Sequence, residues 1–245
     1  MQTTKEWLAK WEKNRVKLKS PVDLNEYFQK DELYGVKLEH FTLGSVSIPS
    51  GAILVRDPLC YLDKKQLPYL QNVAKGEFPV TVCAVITDDD CARYAAIKVS
   101  FNENTAINFE EALIGNENLD EFEEGEYFGF NVDAGLAAIL DVETRDAFDA
   151  FSTKWYKDNP DGNIYDDYFA ALFEESYKQQ PRYQREGGDW LNWTVPGTQL
   201  KIPIFQSGFG DGTYPVYFGY DDEGNVCSLI VNTIDIELAY SEENE

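Results

Sequence analysis

The chain is poor in positive charge and in the residues that usually do chemistry. Lysine and arginine number 21 against 44 aspartates and glutamates, a net charge of −23 and a pI near 4.3. A surface of that sign repels phosphate backbones and anionic lipid, so neither nucleic acid nor a membrane is an expected partner. The only histidine is His40, in the middle of a strand-like stretch with no nucleophile elbow in the chain, which reads as a structural histidine and leaves no Ser-His-Asp or Cys-His set. The four cysteines, Cys60, Cys83, Cys91 and Cys227, have no CxxC or CxxH spacing. Free thiols are expected, with a Cys83–Cys91 disulfide across one hairpin as the alternative. No window offers eighteen apolar residues in a row, and the first residues have no apolar core of a secretion signal, so a cytoplasmic location is expected.

What is present fits a globule. A chain of 245 residues with 43% hydrophobic and 14% aromatic content can bury a core without staples, despite its charge imbalance. Charge is uneven, however. Six lysines and arginines against two glutamates give the first twenty residues a net of +4, leaving −27 for the remainder of a chain whose total is −23. Trp7 and Trp11, one helical turn apart, predict a short amphipathic helix whose basic side lies against the acidic body. Ser20-Pro21-Val22-Asp23 predicts a second helix start through its cap and first-turn residues. Residues 1–35 are thus expected as a helical segment packed on the body, and 36–245 as one α+β domain.

From Val36 the pattern has period two, slipping at His40-Phe41 as a β-bulge or a crossing between sheets would make it. Residues 79–87 and 93–101 predict a hairpin around the tip Asp88-Asp89-Asp90, and residues 214–220 and 226–231 a second one. Asn108 to Leu113 reads as one or two helical turns. Phe148, Phe151 and Trp155 mark one helix, and Asn163-Ile164-Tyr165-Asp166 a capping box opening another. The expected fold class is α+β: antiparallel sheets, sandwich-like, with helices packed on one side.

Carboxylates at turns, among them Asp133, Asp141, Asp211, Asp221 and Asp222, are read mainly as turn chemistry, since no DxDxDG loop is present. The densest pattern is Gln206-Ser207-Gly208-Phe209-Gly210-Asp211-Gly212-Thr213-Tyr214. It lacks the Lys-Ser/Thr pair of a phosphate loop and precedes a strand, so it reads as a tight loop pinned by Asp211. No cofactor and no metal is expected.

Residues 207–225, SGFGDGTYPVYFGYDDEGN, closely resemble the C-terminal signature of an uncharacterised, largely bacterial family, domain of unknown function 4241. IPSGAILVRDPL (48–59), FPVTVCAVITDDDCARYAAIKVSF (78–101) and FGFNVDAGLAAILD (128–141) are similar to that family in the same order. Two departures stand out. Leu136-Ala137-Ala138 replaces a further family glycine after Gly135, and Asn232-Thr233-Ile234-Asp235 replaces a terminal Asp-Phe. The resemblance implies a mainly structural role for Gly208, Gly210, Asp211, Gly212, Tyr214, Asp133 and Gly135, and it brings no catalytic residue.

The functional expectation is an acidic binding protein, specifically an immunity- or antitoxin-like inhibitor of a basic toxin domain. Residues 117–126 hold six acids in ten and no base. Expected contacts are Asp120, Glu121, Glu123, Glu124 and Tyr127, with Trp190 and Trp193 as aromatic anchors. The alternatives are a metal-assisted hydrolase-type enzyme using Asp133 and Asp211, or a regulatory interaction module with no toxin.

Overall fold

The structure is a computed structural model that describes residues 3–88, 91–123 and 125–241. Helix α1 (Lys5–Asn14) and a short α2 (Glu26–Gln29) come first. Strands β1 (Glu32–Leu33), β2 (Val36–Ile48), β3 (Ile53–Arg56), β4 (Gly76–Asp88), β5 (Cys91–Ser100), β6 (Asn108–Glu111), β7 (Phe130–Val132) and β8 (Leu136–Asp141) follow. Next are α3 (Val142–Asp158), a π-helical turn at Tyr165–Phe169 and α4 (Ala170–Gln179). Then come β9 (Trp190–Thr194), β10 (Lys201–Gln206), β11 (Gly212–Tyr214), β12 (Val216–Tyr220), β13 (Val226–Asn232) and α5 (Ile236–Tyr240).

The fold is α+β. One sheet runs β1-β2-β4-β5-β13-β12-β6, a second β3-β8-β10-β9, and β7 pairs with β11. Apolar side chains from the two larger sheets share one core: Val46, Val82, Ile97, Phe218 and Leu229 from one, Val55, Ile139 and Phe205 from the other. Each such side chain, fully buried, stabilises the fold by about 1.5–3 kcal/mol before chain entropy is charged against it. The four-stranded sheet buries its second face under α3 and α4, through Phe148, Phe169, Phe173 and Trp193. That double cover is why all six residues of β8 are buried. The outer face of the seven-stranded sheet is covered by Leu24, Tyr27 and Ile236 from the two terminal segments. The two long helices therefore lie on one side of the sheets, and short α2 and α5 on the opposite side.

Several local details differ from the sequence expectation. Asn108–Glu111 is a strand, because it pairs with β12 from Tyr217 to Tyr220 and that pairing outweighs any local helical preference. The irregularity in β2 falls between Thr42 and Gly44, two residues after the parity slip, where Gly44 (φ +142°) takes a backbone conformation that side chains disfavour. Ser20 closes a turn to Val22 and does not start a helix; α2 begins six residues later. The Asn163 carboxamide accepts from the N–H of Tyr165 (2.9 Å), but Asp167 supplies the reciprocal bond to the N–H of Asn163 (2.8 Å) in place of Asp166. The wider π-helical turn moves the closing residue along by one. Cys83 is a buried free thiol facing Ala96 in the β4–β5 register. The Cys91 side chain and the hairpin tip Asp89-Asp90 lie outside the described residues. His40 is half-buried, with Nε2 2.8 Å from the carbonyl of Tyr27.

Helix α1, capped by Thr4, lays Trp7 and Trp11 against Leu119 and Phe122 of the acidic loop. Lys10 donates to Asp120 at 2.7 Å, the Trp7 indole N–H to the Glu117 carbonyl at 2.9 Å, and Arg15 to Glu110 Oε2 at 2.9 Å. The basic segment thus neutralises part of the acidic body within the same chain. Among the described residues no helix is long and apolar enough to cross a membrane.

Candidate functional site

Three chain segments meet at the glycine-rich loop. Gly210 donates its N–H to the Ser207 carbonyl (2.6 Å), and the Tyr214 hydroxyl donates to the Gly210 carbonyl (2.8 Å), closing residues 207–214 into a compact turn. Asp211 Oδ1 accepts the Gly135 N–H at 3.0 Å, while Ser207 donates its N–H to the Gly135 carbonyl at 3.1 Å. Behind this turn sits Asp57, fully buried. Its Oδ1 accepts the N–H groups of Leu59 and Cys60, and its Oδ2 those of Asp133 and Ala134, all between 2.7 and 3.1 Å. The Tyr61 hydroxyl donates to Asp133. Burial, then the charges of Asp57 and Asp133, push the Cys60 thiol above its ordinary pKa, so it is held protonated, opposite to a nucleophilic cysteine. Among the described residues no group of three His, Cys, Asp or Glu side chains is arranged to hold a metal ion. Turn chemistry also accounts for Asp141 and Asp221. The first caps α3 at Glu143 and accepts from Ser50; the second accepts from Asn225 and Asn104.

The other side of the glycine loop borders a groove of about 650 Å³, a size typical of small-molecule sites. One wall is the chain from Val16 to Pro21, a second is Tyr127 with Phe209 and Tyr214, and a third is residues 232–239 leading into α5. Its rim gathers four of the largest exposed apolar side chains, Val16 (77%), Leu238 (72%), Phe209 (58%) and Tyr127 (46%). Scattered singly such residues need no explanation, but a ring of them around one concavity marks an interaction surface.

Two polar side chains form the floor. Glu111 and Tyr217 stand opposite each other in the β6–β12 register, and so point to the same face of the sheet. Glu111 is 1% exposed. Its Oε1 accepts the N–H groups of Phe128 (2.7 Å) and Gly129 (2.8 Å); its Oε2 has no donor among the described residues. Burial pushes its pKa up to about 7, against the lowering effect of those two N–H groups. The folded state therefore binds a proton that the unfolded chain has released between about pH 4.5 and 7, and stability contributed by this group falls as pH rises through that window. We expect Glu111→Gln to remove this penalty. In urea unfolding at pH 5 and pH 8, the variant should gain on the order of 3 kcal/mol relative to wild type at the higher pH; an unchanged difference between the two proteins would show that Glu111 is already ionised at pH 5.

The sequence-derived contact residues separate into two groups. Asp120 is ion-paired with Lys10, Glu121 and Glu123 are exposed, and Tyr127 stands at the groove mouth with its hydroxyl donating to the Thr213 carbonyl at 3.1 Å. Glu124 lies outside the described residues. Trp190 and Trp193 are 5% and 4% exposed and belong to the core, so neither ring is available to a partner. Trp190 packs beside Phe41 between the sheets and Trp193 among Phe148, Phe151 and Phe169. Sequence reasoning also passed over Glu111 and Tyr217. The available signal was a pair of adjacent glutamates, Glu110-Glu111, set inside the apolar stretch Phe109 to Ile114.

The family model of a protein of unknown function, DUF4241, matches residues 46–231. The chain belongs to this family. No curated protein and no solved structure matches it. The matched region contains the groove floor and the glycine loop; the walls formed by residues 16–21 and 232–239 lie outside it.

Proposed function

We propose that this DUF4241 protein is a cytoplasmic binding protein, an immunity- or antitoxin-like inhibitor that covers a basic bacterial toxin domain. The observation that carries the reading is the adjacency of two kinds of exposed surface. Glu121 and Glu123 stand on the acidic loop, and Tyr127, on the same loop, begins the apolar rim continued by Phe209, Leu238 and Val16. Charge beside an aromatic and aliphatic patch is what a fast-associating, specific interface requires: the field of a −23 chain raises the encounter rate, and the apolar groups hold the complex. Within the chain, Lys10 on Asp120 already shows the ion pairing that a basic partner would extend.

Affinity capture from the source organism, with wild type and with Glu121→Lys/Glu123→Lys as paired baits, tests the reading. Wild type should retain a cationic protein whose toxicity it suppresses on co-expression. The doubly reversed bait should associate about tenfold more slowly at low salt, the gap closing as ionic strength is raised. Capture of an acidic partner, or an association rate indifferent to the reversal, would refute the proposal.

A further inference from the structure

We propose that the groove is a binding site for a small apolar molecule carrying a primary ammonium group, with the ammonium seated on Glu111 Oε2 and the apolar body against the rim. This assignment does not depend on the basic-partner reading, and either can fail alone.

The floor asks for a donor. Oε1 of Glu111 is satisfied by two backbone N–H groups, which fix the carboxyl in place, while Oε2 has no partner among the described residues in a side chain that is 1% exposed. An acceptor at a groove floor that is so little exposed offers a ligand donor a charge-assisted hydrogen bond where few waters compete for it. The Tyr217 hydroxyl, opposite on β12, likewise has no hydrogen-bond partner among the described residues. Tyr127 and Tyr214 in the lining are aromatic groups of the kind that favours an organic cation.

The charges around Glu111 decide the sign of the ligand. From the loop, Glu117 acts on it as a like charge, and Glu126 lines the groove. From the C-terminal wall comes Asp235, which caps the N–H of Leu238. From the N-terminal wall come two lysines: Lys17 donates to the Phe122 carbonyl (3.3 Å), and Lys19 acts on Glu110. With Lys17 engaged by that carbonyl, Lys19 acting on Glu110, and Glu126 and Asp235 in the same lining of a strongly negative chain, an anion is disfavoured. A neutral molecule favours neither form of Glu111, whereas a cation favours its carboxylate. Ammonium binding is therefore coupled to proton release: the unliganded carboxyl, with its pKa raised to about 7, must ionise first. The amine itself stays protonated throughout the range concerned.

Titration calorimetry with 4-phenylbutylamine in about 0.3 M NaCl, where binding to exposed carboxylates is screened, gives the test, with 4-phenylbutan-1-ol as the isosteric neutral probe. Amine affinity should rise roughly tenfold from pH 6 to pH 8, following the ionised fraction of a group titrating near 7. At pH 7 about half a proton should be released, seen as a difference in heat between phosphate and Tris buffers. The alcohol should bind about tenfold more weakly at pH 8 with no such dependence. Glu111→Gln keeps the carbonyl that accepts from Phe128 and Gly129, and should bring the amine down to the affinity of the alcohol. Equal binding of amine and alcohol, no proton release by the wild type, or an unchanged amine affinity in Glu111→Gln would each overturn the assignment. The proton-release measurement needs no variant, so it stands even where the substitution disturbs the fold.

Discussion

Asp57→Ala is expected to lower the unfolding free energy by about 4 kcal/mol, a large part of the 5–15 kcal/mol that holds a typical domain together. The Asp57 carboxylate is fully buried and receives four backbone N–H groups, two from the turn that follows it and two from the turn after β7. It is thus the clamp between residues 57–61 and 133–135, and the second of these turns is in turn held by Asp211 of the glycine loop. Alanine leaves all four donors without an acceptor, at a cost of roughly 1–3 kcal/mol for each that water cannot reach. Cys60 and Asp133 are exposed, so water recovers part of the loss there, which sets the net below the sum. Thermal unfolding should shift down by about 8–16 °C for a chain of this size. The Cys60 thiol should also react faster with a disulfide reagent, because a neighbouring negative charge that holds it protonated is gone. A loss below about 1 kcal/mol would mean that water replaces the carboxylate and that the clamp is not structural.

Where local pattern and tertiary environment agree, the sequence was legible. β12 alternates and is followed by the turn that Asp221 pins; Leu229-Ile230-Val231 is apolar on both parities because β13 has the sheet core on one side and the terminal segments on the other. The tryptophan pair of α1 and the lie of its basic side against the acidic body followed from spacing and charge; that the acidic loop is what it meets did not. Legibility ended where a residue's role is set by what lies across from it. Asn108–Glu111 carries too little periodicity to be known as a strand until β12 is beside it. Trp190 and Trp193 read as surface anchors because a tryptophan in a short strand carries no mark of which face is covered; here both faces are. Glu111 was one acid among 44, and only its burial beneath Phe128 and Gly129 distinguishes it. Asp141 and Asp221, by contrast, were legible as turn chemistry because each satisfies backbone N–H groups within four residues. Asp211 and Asp133 instead bond to Gly135 and Tyr61, partners that no local rule supplies.

Gly208→Ala should cost about 3 kcal/mol, and Gly210→Ala, two residues away in the same motif, only about 1 kcal/mol. Both glycines have positive φ, +40° and +98°, so both variants pay backbone strain. They differ in what the new methyl group meets. At Gly210 a Cβ would find nothing within 4 Å, while at Gly208 it would lie 2.5 Å from the Thr233 carbonyl oxygen and 3.0 Å from its carbon. That carbonyl cannot retreat, because the N–H groups of Thr233 and Ile234 both donate to the Ala95 carbonyl, at 2.8 and 3.0 Å, fixing the chain to β5. The loop itself must move, and with it the Gly208 carbonyl that accepts from Arg93 at 3.3 Å. Phe209 and Thr233 both line the groove, so the displacement also reshapes the surface offered to a ligand. In paired denaturant titrations the Gly208 variant should unfold well before the Gly210 variant, and it alone should lose amine affinity. Equal losses would show that only backbone strain, and not the close approach of residue 208 to Thr233, requires glycine in the first position of the motif.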